Sequence, residues 1–149
     1  MRDRWLFKAK FDDSDRWKFG SLYEQNGDYY IMPKGTGSVI VDGYFASISC
    51  VIKVKEETIC QCTGLKDKNG KLIFENDIVE LYDRNIDYKW RAVVLFGNPN
   101  CEYTWGWQLK PIGECEANAD ILCWINMEES GAFCEVIGSA IDNPELLEK

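Results

Sequence analysis

The sequence predicts a mainly β fold with only minor helical structure. Three observations support this class: many aromatic residues (6 Trp, 7 Tyr and 7 Phe), short segments that alternate apolar with charged residues, and turn residues between those segments. The chain has 149 residues and a hydrophobic fraction of 46%, which suits one compact domain or two small ones. We therefore expect a small sheet protein whose core does not depend on disulfides.

The first third of the chain predicts a meander of short strands. The segment 5–11 alternates apolar residues with lysines, as a strand does when one of its faces is buried. The segment 17–23 alternates again, and Asn26-Gly27 is a strong signal for a tight hairpin turn before the apolar run 29–32. Two further apolar stretches lie within 39–62.

The remaining strands are expected to be short and separated by turn residues, a pattern that favours a small closed or partly closed sheet. Asn76 precedes one of them and suits a left-handed backbone conformation. The sequence Asn143-Pro144-Glu145 is typical of a helix start and predicts a short C-terminal helix capped by Asn143. The predicted strands lie at 71–74, 78–81, 90–96, 105–109, 121–127 and 136–141.

The chain has no histidine, which excludes a Ser-His-Asp or Cys-His catalytic pair and any mixed Cys/His zinc site within it. It has 7 cysteines, an odd number, and Cys60-Gln61-Cys62 lacks the spacing of a C-x-x-C motif. We expect reduced, buried thiols. No cofactor, metal ligand or catalytic residue is predicted.

The net charge of −8 is unevenly distributed, because residues 111–149 contain one basic and nine acidic side chains. A basic footprint for phosphate contacts is absent, so direct binding of nucleic acid is disfavoured. The N-terminal segment lacks the apolar region of a secretory signal, and no apolar run approaches the roughly 18 residues of a membrane span. We therefore expect a cytoplasmic protein without a membrane partner.

The most specific motif is Thr63–Val79 (TGLKDKNGKLIFENDIV). Together with Glu135–Gly138, Asn143–Leu147 and the early segments Phe7–Lys10 and Trp17–Leu22, it resembles the YopX family of phage and prophage proteins. The chain has Asn76 where the family pattern usually has Gly, and both residues accept a positive φ.

The resemblance implies a protein of mobile genetic elements that acts in the bacterial cytoplasm. It also implies a C-terminal SH3-like, partly closed β-barrel at 63–149, preceded by an N-terminal β-rich subdomain at 1–62. It implies no particular activity, because a fold of this kind supports many functions.

Two interpretations of the motif are open. Asp67, Lys68 and Asp77 have the chemistry of an acid–base site, but Asp, Asn, Gly and Lys also occupy the positions that tight turns require. The structural interpretation is favoured, because turn chemistry alone accounts for these residue types.

Two surfaces are candidates for binding. Paired tryptophans on a strand face are suited to stacking a ligand or anchoring a partner, although packing in the core is the favoured alternative. Clustered carboxylates attract a basic partner, although a solvated face is the default interpretation. The aromatic candidates are Trp90, Arg91, Tyr103, Trp105, Trp107 and Lys110, and the acidic candidates are Glu114, Glu116, Asp120, Glu128 and Glu129.

The leading functional hypothesis is a non-enzymatic phage or prophage accessory protein that binds a host or phage protein. Self-association through the edges of the N-terminal strands is expected as well. One alternative is a protein that binds or sequesters a nucleotide-like small molecule, and another is an acidic mimic of nucleic acid that inhibits a host protein. An enzyme that uses only carboxylates, Lys, Tyr or Cys is the least favoured class.

Overall fold

The fold is given by a computed structural model, which describes residues 2–33, 40–41, 44–45, 51–101, 105–115, 117, 119–125 and 131–148. The predicted mainly β class is confirmed, because these residues form twelve strands and only short helical segments. Each described helix is a 3₁₀ segment of three or four residues. They are Arg2–Trp5, Glu56–Thr58, Ile121–Cys123 and Pro144–Leu147.

The chain divides into two compact units, an N-terminal unit of Met1–Cys62 and a C-terminal unit of Thr63–Lys149. Strand β7 (Cys60–Lys66) begins in the first and ends in the second. The assignment of 1–62 and 63–149 as two subdomains stays a prediction.

The N-terminal unit is built on an antiparallel meander, as predicted. Its sheet has the strand order β6-β3-β2-β1-β7, and a separate two-stranded ladder joins β4 to β5. The strands are β1 (Phe7–Lys10), β2 (Trp17–Gln25), β3 (Asp28–Pro33), β4 (Ile40–Val41), β5 (Tyr44–Phe45) and β6 (Ile52–Lys53).

The predicted turn at Asn26-Gly27 joins β2 to β3. Both residues have positive φ, 55° for Asn26 and 83° for Gly27, as a tight primed turn requires. The amide of Gly27 donates to Oε1 of Glu24 at 2.9 Å, which closes the turn. The hairpin brings Ile31 into a core with Ala9 and Val54.

The outer edge of β6 is covered by the end of β1. Phe11 and Val54 form an antiparallel bridge. On either side of it, the amide of Asp12 donates to the carbonyl of Lys53 at 3.1 Å, and the amide of Lys55 donates to the carbonyl of Lys10 at 3.0 Å. This edge is therefore already paired within the unit. It has fewer unpaired amides and carbonyls for the self-association expected through strand edges.

In the C-terminal unit, the end of β7 forms a hairpin with β8, and four longer strands form an antiparallel sheet of order β11-β10-β9-β12. The sheet is open rather than a closed barrel, because β11 and β12 are its two edges and lie at opposite ends of the strand order. The strands are β8 (Leu72–Phe74), β9 (Asp77–Asp83), β10 (Tyr88–Gly97), β11 (Gly106–Pro111) and β12 (Ala132–Ser139).

The core of this unit lies on one face of the four-stranded sheet. Strand alternation places every second residue of β9 and β10 on this face. Its fully buried members include Val79, Leu81, Val94 and Leu109. The segment after β11 returns over the same core and contributes Ile121 and the buried ring of Trp124.

Two predicted elements differ in the structure. The strand expected at 121–127 begins as the 3₁₀ helix Ile121–Cys123. The helix forms there because the Asp120 carboxylate accepts a hydrogen bond from the amide of Leu122 at 3.0 Å and caps the turn. Residues 126 and 127 lie outside the described residues. The terminal helix is a single 3₁₀ segment, and Asn143 does not cap it. Its side-chain oxygen accepts from the amide of Ser139 at 3.2 Å instead.

Candidate functional site

The tryptophans of the predicted aromatic surface lie in three different environments. Trp90, on β10, is 6% exposed and packs edge-on against Trp124 with ring centroids 5.5 Å apart. Trp107, on β11, is half-buried and meets the ring of Phe96 edge-on at 5.0 Å. Trp105, just before β11, is 75% exposed. Only Trp105 therefore presents most of its ring to a partner.

Strand alternation explains this gradient of exposure. Residues 90, 92, 94 and 96 of β10 share the core face, and the register pairs Phe96 with Trp107 on the neighbouring strand. The core ends before the strands do, so Phe96 is 55% exposed at the end of the same face that buries Trp90. Sequence reasoning missed Phe96, although its place in the alternation, next to Gly97, is visible in the sequence.

Two glycines shape the backbone beside Trp105. Gly97 and Gly106 are paired across β10 and β11 and have φ values of 109° and 142°, a region that favours glycine. A Cβ at Gly97 would lie 3.7 Å from Cζ2 of Trp105, so the indole lies against the backbone at this point. We call Phe96, Trp105 and Trp107 the aromatic end of the sheet.

The other predicted members of this surface do not join the aromatic end. Arg91 and Lys110 lie on the opposite face of the sheet from Trp90 and Trp107, since Lys110 pairs with Val93 and alternates with Leu109. The structure therefore does not bring Arg91 and Lys110 together with these tryptophans on one face. Tyr103 lies outside the described residues.

The predicted acidic surface is described only in part. Glu114 is exposed, whereas Asp120 is half-buried and its carboxylate caps the following 3₁₀ helix. Glu116, Glu128 and Glu129 lie outside the described residues.

The motif Thr63–Val79 contains a turn whose centre is Asp67. This carboxylate is 7% exposed, and its Oδ1 accepts from the amides of Asn69 and Lys71, each at 2.9 Å. Its Oδ2 accepts from the amide of Val136, on β12, at 3.0 Å. We call Asp67–Lys71 the motif turn. The Asp67 side chain thus closes the motif turn and connects it to β12 by a hydrogen bond.

The motif turn also covers the outer edge of β12. The amide of Lys68 donates to the carbonyl of Cys134 at 2.9 Å, and its ammonium lies 2.6 Å from Oε2 of Glu135. The side-chain amide of Asn69 donates to Oε1 of the same glutamate at 3.1 Å. The hydrogen bond and ion pair with Lys68 lower the pKa of Glu135 below its usual range.

Two further polar residues of the motif have structural contacts. Asp77 is 2% exposed, and its Oδ2 accepts from the amide of Phe74 at 2.8 Å. Asn76 has a φ of 63°, which confirms the left-handed conformation predicted for it. These contacts support the structural interpretation of the motif over the acid–base interpretation.

The described cysteines are free, and the most buried ones belong to the core. Burial, together with the nearby Asp67 carboxylate, raises the pKa of Cys134 to about 12. Its thiol is protonated at neutral pH and is therefore a poor nucleophile. In the described part of the chain, no group of three or more Cys, Asp or Glu side chains is arranged to hold a metal ion. The free cysteines are Cys60, Cys62, Cys101, Cys115, Cys123 and Cys134.

The remaining edge of the four-stranded sheet, on β11, is partly covered as well. Gln108 forms an isolated antiparallel bridge with Asp120, and the amide of Leu109 donates to the carbonyl of Ala119 at 2.8 Å. The outer edges of β6, β11 and β12 are therefore each paired in part with a short segment of the same unit.

The fold and the site define a mainly β protein of open antiparallel sheets, whose most exposed large aromatic side chain is Trp105 among the residues that the structure describes. None of its described helices is long and apolar enough to cross a membrane.

The family model described as YopX protein matches residues 17–148. The chain belongs to the YopX family, as its motifs predict. No curated protein matches the chain.

Proposed function

We propose that this protein acts by binding another protein through the aromatic end of its C-terminal unit. The observation that carries the proposal is the 75% exposure of Trp105, next to Phe96 at 55%. Tryptophan is enriched among the residues that dominate the energy of protein interfaces. Burial of such a side chain in a partner contributes about 1.5–3 kcal/mol from apolar area alone.

The covered strand edges favour recognition by side chains. A partner that adds a strand needs an unpaired row of amides and carbonyls. The edges of β6, β11 and β12 are each paired in part with a returning segment of the same unit. We therefore favour a mode in which an anchor residue of the aromatic end inserts into a pocket of the partner.

The charge of the C-terminal unit specifies the chemistry of the partner. Residues 63–149 contain 8 basic and 16 acidic side chains, so this unit accounts for the whole net charge of −8. Electrostatic complementarity favours a partner whose apolar pocket is bordered by basic residues. Binding should then weaken as the salt concentration rises.

The described carboxylates and thiol of the motif region give little support to catalysis. The carboxylates of Asp67 and Asp77 accept hydrogen bonds from backbone amides, and the Cys134 thiol is protonated. The YopX family is not a known enzyme family. A binding function needs none of these groups to react.

Position-specific photo-cross-linking tests the proposal. Phe96 is replaced by p-benzoylphenylalanine, which keeps an aromatic ring at the aromatic end, and the protein is irradiated in the cells that express it. We expect one covalent adduct of defined mass, which disappears when Trp105→Ala is added. An adduct of twice the chain mass would identify the partner as a second copy.

Trp5 provides a matched control, because it is also highly exposed, at 65%, but belongs to the N-terminal unit. Trp5→Ala should leave the adduct unchanged. Absence of any adduct at position 96, or an adduct that survives Trp105→Ala, would overturn the proposal.

The acidic charge favours a second candidate function, a mimic of nucleic acid that occupies a groove on another protein. Such a mimic binds mainly through charge, so its complex would dissociate in high salt but survive Trp105→Ala. Because both complexes weaken in high salt, the response to Trp105→Ala separates the two functions: the adduct disappears for the aromatic anchor and persists for the mimic.

A further inference from the structure

We propose that the N-terminal unit contains a binding site for a small zwitterion with an apolar body, of the size of a dipeptide. The site is a cleft of about 640 Å³ between the turn at 11–16, which joins β1 to β2, and the segment 51–53, which contains β6. Pockets for small ligands have volumes of about 300–1,000 Å³. The proposal is independent of the protein-binding surface on the C-terminal unit.

The apolar part of the cleft is formed by Phe11, Val51 and Ile52. All three are half-buried, so each keeps apolar surface that faces the cleft. An apolar ligand body that covers this surface removes it from water, which is favourable in proportion to the area buried.

The charged rim of the cleft points to the class of ligand. Arg16, Asp12 and Asp13 line it, and in the described structure Arg16 forms no ion pair with either carboxylate. Within the described structure, neither the guanidinium of Arg16 nor the carboxylate of Asp13 has a hydrogen bond or ion pair with another residue. A ligand that carries one negative and one positive group can satisfy both.

Lys53, the other cation of the rim, is already engaged. Its ammonium lies 3.1 Å from Oδ1 of Asp28, and this contact raises the pKa of Lys53. Arg16 is therefore the cation available to a ligand carboxylate, which a guanidinium binds through two parallel hydrogen bonds.

The cleft volume of about 640 Å³ favours a dipeptide over a single amino acid, which would leave most of the cleft unfilled. Arg16 and Asp13 do not pair directly, so a ligand with two opposite charges can lie between them. One peptide unit adds about 3.8 Å between successive Cα atoms, which lengthens the ligand without adding another charge.

The two walls of the cleft are fixed before any ligand binds. The amide of Phe11 donates to the carbonyl of Arg16 at 3.1 Å, which closes the turn. The Phe11–Val54 bridge and the bond from Asp12 to Lys53 join the turn to the β6 segment. A preformed site loses little free energy to ordering when it binds.

Isothermal titration calorimetry of the full chain tests the site with leucyl-phenylalanine as the probe. The same dipeptide with an acetylated amine or an amidated carboxylate removes one charge at a time. We expect the zwitterion to bind and each blocked form to bind at least about tenfold more weakly, since each loses one charge-assisted hydrogen bond.

Arg16→Gln and Asp13→Asn should each weaken binding of the zwitterion by at least about tenfold. Each substituted side chain has no partner in the described structure, so the fold should be kept, and circular dichroism checks this. Arg4→Gln, an exposed arginine of the same unit outside the cleft, is the control and should leave the affinity unchanged.

Three results would overturn the site: no heat of binding for the zwitterion, equal affinity for its amidated form, or unchanged affinity in Arg16→Gln. Trp105→Ala should bind the dipeptide as well as the unmodified protein does. The dipeptide site therefore stands if the protein-binding proposal fails, and the protein-binding proposal stands if the dipeptide does not bind.

Discussion

The motif turn and the aromatic end belong to the same unit, and they use their side chains in opposite ways. At the motif turn, both oxygens of the Asp67 carboxylate accept backbone hydrogen bonds, and the turn is fastened to β12. At the aromatic end, Trp105 leaves three-quarters of its surface in solvent. The polar groups of the motif turn stabilise the fold, whereas the aromatic end leaves apolar surface exposed to solvent.

The residues that identify the family are therefore different from the residues that we propose to bind a partner. The motif that best identifies the YopX family stabilises the fold, since its buried carboxylates accept hydrogen bonds from backbone amides. The capacity to bind a partner lies instead where large side chains are left uncovered. Substitutions in the two regions should therefore have opposite consequences for stability and for binding.

The largest expected effect on stability is that of Asp67→Ala. The substitution removes the acceptor of three amide hydrogen bonds, from Asn69, Lys71 and Val136. Because hydrogen bonds to charged groups are strong and the amides are left without partners, we expect a loss of about 3 kcal/mol or more in the free energy of unfolding. Urea denaturation measures this loss.

Asp13→Ala is the matched control for that experiment, because it removes an exposed carboxylate that has no partner in the described structure. Its effect should stay within about 0.5 kcal/mol. A loss of similar size in both variants would contradict the special role of Asp67.

The ion pair beside the motif turn predicts a smaller, pH-dependent effect. The pKa of Glu135 is lowered in the folded state by its hydrogen bond and ion pair with Lys68. A lowered folded-state pKa stabilises the protein above the ordinary glutamate pKa, and this contribution is lost as the pH falls through the folded-state value.

Glu135→Gln should therefore cost at most about 1 kcal/mol at about pH 7, because the pair is partly exposed and solvent screens it. The difference from the unmodified protein should shrink as the pH falls from neutral through the lowered folded-state pKa of Glu135. Urea denaturation across this range measures it. A difference that persists unchanged in acid would show that the ion pair is not its cause.

Much of the fold was predictable because its signals are local. Asn26-Gly27 and Asn76 need only their own backbone preferences to predict a hairpin and a left-handed residue, and both have the expected φ values. The strand expected at 121–127 was wrong at its start because Asp120 caps a turn there, and an apolar run alone does not distinguish a strand from a short helix.

The candidate site was harder to predict because it depends on which strands neighbour each other and where the core ends. The sequence placed Trp105 and Trp107 together, yet it did not reveal that β11 starts only at Gly106. Nor did it reveal that Arg91 and Lys110 lie on the face opposite Trp107, or that Phe96 completes the cluster. These facts follow from the register between β10 and β11, which local patterns do not specify.

The smallest expected effect on stability is that of Trp105→Ala, although it changes the largest residue type in the chain. Because Trp105 is 75% exposed, its removal should alter the free energy of unfolding by no more than about 0.5 kcal/mol in urea denaturation. Trp107→Ala, by contrast, should be clearly destabilising, because this ring packs against the core. A stability loss of equal size in both variants would place Trp105 in the core and remove the basis for the proposed binding surface.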